Sequence, residues 1–325
     1  MPTTHKTRAG RTPTVAIVGA GSLASFLAVA LNRAGYVMTE IVVRDSPSSR
    51  RRARTLAAKV GAKVVTAQSA VLEATCLWFC VPDREIRTAA SAIADRLSAT
   101  ISAVKKPTRR PGQKKGQNGG VRFALHSSGA LLSRELDALR QVGIAVASAH
   151  PLMTFVPGTH PSLLGVPFAL EGDAAAIRAA KKMIRDLGAE SFSLSAKRKA
   201  AYHAWATMAS PLLLAFMVTL EEAARAAGVA PADARRKSLP IIHQTLANYA
   251  KRGPANSFSG PLIRGDVETV AKHLSELKRN PEVREVYLRL ARVALRKLPV
   301  KNEKKLQRLL RTAISHQLVL PLAAQ

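Results

Sequence analysis

The feature that most constrains this 325-residue sequence is a glycine-rich turn between a short apolar run and an amphipathic segment. Residues 15–18 are apolar and mostly β-branched, and the six residues from Gly19 to Ala24 (Gly-Ala-Gly-Ser-Leu-Ala) fit the pattern G-x-G-x-x-G/A. Apolar residues then recur at helical spacing until Gly35 ends the run. This order predicts a strand, a tight turn and a helix whose first N–H groups meet a pyrophosphate, held by Gly19, Ala20, Gly21, Ser22 and Leu23.

Apolar segments and helical segments alternate along the first 195 residues. Strands are predicted at residues 15–18, 41–43, 63–65, 77–81, 121–125, 144–147, 168–170 and 191–194, and helices at 22–34, 50–60 and 174–187. Strands that are apolar enough to be covered on both faces, and that alternate with helices, indicate a doubly wound, mainly parallel α/β sheet. We therefore predict a Rossmann dinucleotide-binding domain at residues 13–195.

After residue 195 the strand signals stop. Helices are predicted at residues 197–227, 232–252, 265–279 and 281–298, with Pro231 and Pro281 at the first-turn positions that prolines favour. This pattern indicates an all-helical substrate and dimerisation domain at residues 196–298. A flexible basic insertion at 104–120 is predicted within the Rossmann domain. Two further basic segments are predicted to lie outside the two domains, a disordered tail at 1–12 and an amphipathic extension at 299–325.

The balance of charge is unusual, with a net charge of +29 and a pI near 11.2. Such a balance favours binding to phosphates, nucleic acid or anionic lipid, and nucleic acid or another acidic partner could bind through the basic tails. Aromatic residues make up only 4% of the chain, and no nucleic-acid-binding motif is evident, so charge is the one argument for nucleic acid.

The cellular location is predicted from the first residues of the sequence and from its cysteines. Its first residues have no apolar core of a secretory signal, and its two cysteines, Cys76 and Cys80, are expected to be free and buried, which suits the cytoplasm. The apolar stretch at 204–220 contains Pro211 and suits a buried or dimer-interface helix better than a membrane span. A homodimer formed through this stretch is therefore expected.

The end of the second strand bears on the choice of cofactor. An acidic residue at this place accepts the ribose hydroxyls of NAD, whereas arginine and serine suit the 2'-phosphate of NADP. Here Arg44 comes first, followed by Asp45, Ser46 and further arginines. We expect Arg44 and Ser46 to bind NADP, with NAD less favoured because of Asp45.

Other polar residues are predicted at the carboxyl ends of strands, where the crevice of such a sheet opens toward its ligand. Val81 and Pro82 follow the fourth strand and Ser127 follows the fifth, and these three are expected to touch the cofactor. His126 and His150 end two neighbouring strands, and Tyr202 and His203 open the helical domain. A histidine here is suited to hydrogen-bond or protonate a substrate oxygen, so His150, His126 and His203 are the candidate catalytic residues. No metal ligand set is predicted.

A resemblance to a known family rests on seven short stretches of this sequence. They are VAIVGAGSLA (from Val15), FCVPDREI (from Phe79), LHSSGAL (from Leu125), AHPLMTF (from Ala149), FALEGD, AYHAWATMAS (from Ala201) and GPLIRGDVETVAKHL. The chain resembles the Rossmann-like proteins with a C-terminal domain of unknown function numbered 2520. They are related to 6-phosphogluconate dehydrogenase, ketopantoate reductase and pyrroline-5-carboxylate reductase. The resemblance covers residues 13–298, and the family's C-terminal unit begins near residue 148.

The resemblance implies a Rossmann domain, a helical domain that commonly dimerises, and nicotinamide-dependent reduction. AHPLM also resembles the segment of prephenate dehydrogenases in which a histidine contacts the substrate oxygen, which favours His150 over His126. The chain departs from the pattern at Ser210-Pro211, where such families usually have Ser-Asn, and Ser210 is expected to cap a restarted helix.

These features together favour an NADP-dependent oxidoreductase that transfers a hydride to or from a small, keto-acid-like carbonyl or an imine. A non-catalytic dinucleotide-binding sensor or scaffold is the first alternative, because of Pro211 and because no Lys-and-Asn catalytic pair is evident. A nucleic-acid-binding protein is the second and rests on charge.

Overall fold

The computed structural model describes residues 14–104, 120–159 and 161–315. The predicted basic tail, nearly all of the predicted insertion at 104–120 and the last ten residues lie outside the described residues. The chain divides into two compact units, Met1–Thr207 and Met208–Gln325, so the division falls twelve residues after the predicted one at 195/196.

The first unit is built on a single eight-stranded sheet. Its strands are β1 (Thr14–Val18), β2 (Val37–Val42), β3 (Lys63–Val65), β4 (Cys76–Phe79), β5 (Phe123–His126), β6 (Ala145–Pro151), β7 (Pro167–Gly172) and β8 (Glu190–Ser193). The strand order is β3-β2-β1-β4-β5-β6-β7-β8, and all neighbours run parallel except β6 and β7. The predicted fold class, a doubly wound and mainly parallel sheet, is confirmed.

Helices cover both faces of this sheet. They are α1 (Ser22–Arg33), α2 (Pro47–Val60), α3 (Asp83–Val104), α4 (Asp137–Gln141) and α5 (Ala174–Asp186), and α6 (Lys199–Ala209) follows β8. Alternate residues of a strand point to opposite faces, so Val15 and Ile17 of β1 join one hydrophobic cluster while Ala16 and Val18 join the other. Burial on both faces explains why the strands are continuously apolar.

The second unit is all-helical in its described residues. Its helices are α7 (Pro211–Ala226), α8 (Pro231–Ser257), α9 (Pro261–Arg264), α10 (Val267–Glu276), α11 (Pro281–Lys297) and α12 (Glu303–Ser315). Helix α8 is kinked at Gly253, whose φ is +73°. The core lies among α10, α11 and α12.

The predicted boundary near Leu298 is wrong. Leu306, Leu310 and Ala313 of α12 are buried in the same cluster as Leu288 and Leu295 of α11. The sequence showed the amphipathic character of this helix, but it did not show which surface its apolar side covers. Helix α12 is therefore part of the second unit and not an extension outside it.

One long helix was predicted at 197–227, and the structure divides it. Helix α6 ends at Ala209 and α7 begins with Pro211, because proline at the first position has no N–H to give to the preceding turn. The side chain of Ser210 makes no capping hydrogen bond, contrary to the expectation. By length and composition alone, the run Ala196–Ala226 is the one candidate membrane span among the described residues, with a mean hydropathy of 1.4.

Candidate functional site

The register of four parallel strands brings the predicted site residues to one edge of the sheet. Val18 of β1 pairs with Phe79 of β4, Phe79 with His126 of β5, and His126 with Ser148 of β6. The glycine turn, the Cys80-Val81-Pro82 segment, the Ser127–Gly129 segment and His150 therefore follow these paired residues at the same carboxyl edge. Neighbouring strands are about 4.8 Å apart, so the edge from β1 to β6 spans about 14 Å.

The first two glycines of the turn have different surroundings. Gly19 has a φ of +113°, and a Cβ at this position would lie 2.5 Å from the carbonyl oxygen of Cys80. The fold itself therefore requires glycine here. Gly21 has a φ of −81°, which any residue adopts, and a Cβ there would meet no atom within 4 Å. The fold leaves open the space that a pyrophosphate occupies in this motif.

The start of α1 suits a negative charge. Gly21 precedes the helix without a side-chain cap, and the first turn holds no acidic residue. The first N–H groups of a helix have no acceptor within it, and the helix dipole adds to their attraction for an anion. Ala24 is fully buried, which keeps this helix close to the sheet. The residues present therefore fit the phosphates of a dinucleotide.

The end of β2 carries the groups that were predicted to choose between NADP and NAD. Asp45, the acid that would suit NAD, is bound by Arg50 at 2.6 Å, and this bond lowers the pKa of its carboxyl group. Arg44 is exposed and pairs with Glu85 of α3 at 3.0 Å. The Ser46 hydroxyl accepts a hydrogen bond from the Ser49 N–H and caps α2, while its own proton remains available to a ligand.

A cleft of about 1630 Å³ begins at the glycine turn. It reaches Gly21 and Ser22 at one end and runs along the exposed sides of α1 and α2. Its cationic lining consists of Arg33, Arg51, Arg52 and Lys59. It does not include the candidate catalytic histidines, so it belongs to the phosphate side of the site.

Three aromatic side chains meet at the other end of the edge, above Gly129. His150 Nδ1 lies 2.6 Å from the Tyr202 hydroxyl, and the His150 and His203 rings are 6.1 Å apart between centroids in an edge-to-face arrangement. A Cβ on Gly129 would lie 2.5 Å from His203 Cδ2 and 2.9 Å from His150 Nε2. Glycine at 129 is therefore what allows both imidazoles to approach this backbone.

The protonation of His150 follows from its surroundings. Burial, and then the charges of Lys199 and His203, lower its pKa to about 4, so the ring is neutral at neutral pH. Burial raises the pKa of Tyr202 to about 12, so the phenol keeps its proton. In the tautomer in which the Tyr202 hydroxyl donates to Nδ1, the ring proton lies on Nε2, the atom nearest to Gly129.

His126 is also a predicted catalytic residue, and the structure argues against that role. It is fully buried, its Nδ1 accepts from the Ser128 N–H at 3.1 Å, and its Nε2 lies 3.0 Å from the Leu132 carbonyl oxygen. Burial, and then the charge of Lys199, lower its pKa to about 3. Both ring nitrogens are occupied by the backbone, so His126 holds the loop after β5 in place.

Ser127 is tied to β4 in a similar way. Its hydroxyl accepts a hydrogen bond from Trp78 Nε1 at 2.9 Å, and its N–H donates to the Phe79 carbonyl at 3.2 Å. Val81 and Pro82 follow β4, as predicted, and Val81 packs beside Gly19. Contact of these three residues with a cofactor stays a prediction.

Lys199 is not among the site residues predicted from the sequence. This residue opens α6, is 2% exposed, and donates a hydrogen bond to the hydroxyl of Ser148, which is fully buried. Burial lowers its pKa to about 8, although the charges of Glu171 and Asp83 oppose this shift. Its ammonium group has three donors, and Ser148 is its one acceptor among the described residues. A buried lysine beside a histidine is a frequent mark of a functional site.

A sequence signal for Lys199 existed but was ambiguous. Lys199 lies three and four residues before Tyr202 and His203, so all three share one face of a helix. Lys197 and Arg198 precede it, and a run of three cations reads as a solvated surface. The missed Lys199 weakens the argument that the chain lacks a catalytic lysine.

Two family models match the chain. Residues 14–104 match the family described as NADP oxidoreductase, coenzyme F420-dependent, and residues 166–294 match the domain of unknown function 2520. These matches confirm the predicted resemblance, although the second begins at residue 166 and not near 148. No curated protein sequence matches this chain.

Solved structures share the fold. A candidate NADP oxidoreductase, BF3122 from Bacteroides fragilis, matches with a TM-score of 0.64 and 19% identity over 87% of this chain and 97% of its own. Protein TM1727 from Thermotoga maritima has a TM-score of 0.63 and 22% identity over 92% and 98%. An imine reductase from Myxococcus stipitatus in complex with NADP+ has a TM-score of 0.56 and 16% identity over 93% and 100%. Pyrroline-5-carboxylate reductases also match.

Proposed function

We propose that this Rossmann-like protein with its domain of unknown function 2520 is an NADP(H)-dependent oxidoreductase that acts on a small, keto-acid-like carbonyl or an imine. The observation that carries the proposal is the pair of features at one sheet edge. Open space for a phosphate lies at Gly21, which follows β1. The neutral imidazole of His150 lies near the end of β6, three strands away in the sheet.

The chain's own residues account for cofactor binding. The turn from Gly19 to Leu23 would hold the pyrophosphate, and Arg44 and Ser46 would hold the 2'-phosphate, since Asp45 is paired with Arg50. The match to an NADP oxidoreductase family and the NADP+ complex of the imine reductase support this assignment. When bound, the nicotinamide supplies or accepts the hydride.

His150 would donate a proton to the carbonyl oxygen or imine nitrogen of the substrate. Its Nε2 proton would hydrogen-bond to that atom and pass to it as negative charge develops there. In the tautomer in which the Tyr202 hydroxyl donates to Nδ1, its proton would move to the ring as the Nε2 proton leaves, and the imidazole would stay neutral. This transfer is downhill because the alkoxide or amide anion left by hydride addition is more basic than a phenolate.

Lys199 would make the site attractive to an acidic substrate. Its charge is close enough to lower the pKa of His150, and two of its three N–H groups have no acceptor among the described residues. A positive charge in a place of low dielectric stabilises a carboxylate or an oxyanion more strongly than it would in water. This argument favours keto acids and carboxylated imines over neutral or cationic compounds.

The test is NADPH oxidation, followed by nicotinamide absorbance, against a panel of 2-keto acids, cyclic imines and carboxylated cyclic imines. Oxidised coenzyme F420 belongs in the panel as a hydride acceptor, because the matching family's description names it. His150→Asn should lower kcat by about 100-fold with little change in NADPH affinity, which is the usual size of a general acid's contribution.

The matched control is His243→Asn on the exposed side of α8, which should leave kcat unchanged. NADPH binding with no turnover across the panel would contradict the proposal and favour the sensor or scaffold. Turnover that His150→Asn leaves intact would remove His150 from the mechanism.

The homodimer and the cytoplasmic location remain proposals. Helix α7 has no buried residue, and the exposed fractions of Leu212, Leu214 and Val218 are 53%, 62% and 52%. A monomer would leave this apolar surface in water, which favours burial against a second copy. Light scattering at micromolar concentration should give the mass of a dimer, and a monomeric mass would contradict this.

A further inference from the structure

The segment from residue 289 to residue 311, which we call the cationic hairpin, consists of the end of α11, a five-residue loop and most of α12. It contains one carboxylate, Glu303, and nine cations, all of them exposed: Arg289, Arg292, Arg296, Lys297, Lys301, Lys304, Lys305, Arg308 and Arg311. The match to the domain of unknown function 2520 ends at residue 294, so α12 lies beyond it.

The cationic hairpin is fixed to the body of the second unit. The buried Arg284 of α11 donates hydrogen bonds to the carbonyl oxygens of Leu274 and Ala313, which joins α10, α11 and α12. In the loop, Asn302 Nδ2 donates to the Gly265 carbonyl oxygen at 3.0 Å. A Cβ on Gly265 would lie 2.5 Å from the Lys301 carbonyl oxygen, so the loop sits directly on this glycine. The backbone that carries these cations is thus held against the rest of the second unit.

Helix stability explains only part of this charge, because the helix dipole favours Arg296 and Lys297 in the last turn of α11. Lys304 and Lys305 lie in the first turn of α12, where the helix dipole disfavours cations. Lys304 and Arg308 are four residues apart, as are Arg292 and Arg296, and like charges at this spacing repel each other on a helix. Arg289 is compensated by Glu285 at 3.6 Å, but the charge of the surface as a whole remains strongly positive.

The spacing of the cations suits a charged polymer. Arg289, Arg292 and Arg296 share one side of α11, and Lys304, Arg308 and Arg311 share one side of α12. At 1.5 Å per residue each row is about 10 Å long, which spans several charges of a nucleic-acid duplex. Arginine forks bind phosphate oxygens in pairs, which compact ammonium groups do not.

From these observations we propose that the cationic hairpin binds the phosphodiester backbone of a nucleic-acid duplex. A membrane is disfavoured because a helix that lies in a membrane surface inserts its apolar side, and Leu306, Leu310 and Ala313 of α12 are already buried in the core. Base stacking is disfavoured because no aromatic residue lies between 289 and 311. Recognition would therefore be electrostatic and independent of base sequence.

The experiment measures binding of the full chain to a fluorescein-labelled RNA or DNA duplex of about 24 base pairs, by anisotropy, between about 50 and 200 mM salt. The test variant carries Lys304→Gln, Lys305→Gln and Arg308→Gln. The matched control carries Arg178→Gln, Lys181→Gln and Arg185→Gln, which remove three exposed cations from one side of α5 in the first unit. Thermal unfolding of both variants verifies that they fold.

The unaltered chain should bind the duplex, and the hairpin variant should bind at least about tenfold more weakly with a salt dependence reduced by about two to three charges. The control should change affinity by less than about twofold. Equal losses in both variants would show that net charge acts without a defined surface and would overturn the proposal. Failure of the unaltered chain to bind, or binding to vesicles with anionic lipid in preference to the duplex, would also overturn it. NADPH affinity should not change in either variant, so this result is separate from the proposed reductase.

Discussion

The two ends of the sheet edge use glycine for different reasons. At the β1 end, Gly21 has open space where a Cβ would project, so the fold itself would accommodate a side chain there. At the β5 end, a Cβ on Gly129 would meet His203 at 2.5 Å and His150 at 2.9 Å, so the protein's own side chains fill that space. The first glycine leaves room for a ligand, and the second leaves room for the groups that would act on one.

This difference predicts opposite consequences of substitution. A side chain at Gly21 should affect the ligand and leave the fold intact. A side chain at Gly129 should move the two imidazoles and leave the phosphate site intact. Gly19, with its φ of +113° and its contact with Cys80, is the case in which the fold itself should fail.

The largest effect is expected for Gly21→Val. The valine side chain would occupy the place of the pyrophosphate, so NADPH affinity should fall by at least about 100-fold. The melting temperature should stay within about 2 °C, because surface changes away from strain or packing have small effects on stability. Nicotinamide fluorescence and a thermal melt measure the two quantities.

Gly19→Val is the comparison for this variant, and it should lower the melting temperature sharply. If Gly21→Val binds NADPH normally, the phosphates lie elsewhere. If it unfolds as readily as Gly19→Val, the distinction between the two glycines is wrong.

Gly129→Ala should have the next largest effect. One methyl group would displace His150 and His203, and a misplacement of about 1 Å in a catalytic group lowers the rate by up to about 100-fold. NADPH affinity should be unchanged. The control is Gly120→Ala, since a Cβ at Gly120 meets no atom within 4 Å. The measurements are steady-state kcat and the NADPH dissociation constant. A normal kcat in Gly129→Ala would contradict the prediction, because it would show that the two imidazole rings tolerate displacement.

A smaller effect is expected from pH and concerns Lys199. With its pKa near 8, the ammonium is charged at neutral pH and loses its proton as the pH rises through 8. For an acidic substrate kcat/KM should therefore fall about tenfold per pH unit above this value. Below it, activity should hold, because His150 keeps its Nε2 proton even where the ring takes up a second proton, near pH 4.

Lys199→Arg provides the control for this pH dependence. Arginine keeps its charge at all accessible pH values, so the alkaline fall should disappear even if the rate is lower throughout. An alkaline fall that persists in Lys199→Arg would assign the titration to another group. The circular dichroism spectrum of the variant verifies that the larger side chain is accommodated.

The two ends of the edge also differed in how far the sequence predicted them. The phosphate end is a continuous stretch from Gly19 to Ala24, so local spacing was enough to predict its turn and helix. The other end is assembled from β5, β6 and α6, which are far apart in the chain. The sequence could name His150, Tyr202 and His203, but it could not show that Lys199 is buried or that His126 is bound by backbone at both nitrogens. Burial and pairing at this end depend on the sheet order, which no local pattern contains.

The same reason explains the error at Leu298. The apolar spacing of Leu306 and Leu310 predicted an amphipathic helix correctly, and the charge of its other side suggested a free extension. Which partner an apolar side meets is a tertiary property, and here the partner is α11. Local periodicity predicts an element and its buried side, but it does not predict the surface that buries it.

The smallest effect is expected for Arg44→Ala. This variant tests which residues at the β1 end of the sheet edge contact the 2'-phosphate. Arg44 is exposed and already paired with Glu85 at 3.0 Å, so a 2'-phosphate would gain only part of the energy of a buried ion pair. The ratio of NADH to NADPH dissociation constants should fall by about fivefold, through weaker NADPH binding. Glu85→Gln is the complementary variant, because it releases Arg44 and removes a carboxylate close to the phosphate, and it should raise the same ratio. If both variants leave the ratio unchanged, Arg44 does not contact the 2'-phosphate, and the exposed arginines of the cleft beside α2 become the next residues to test.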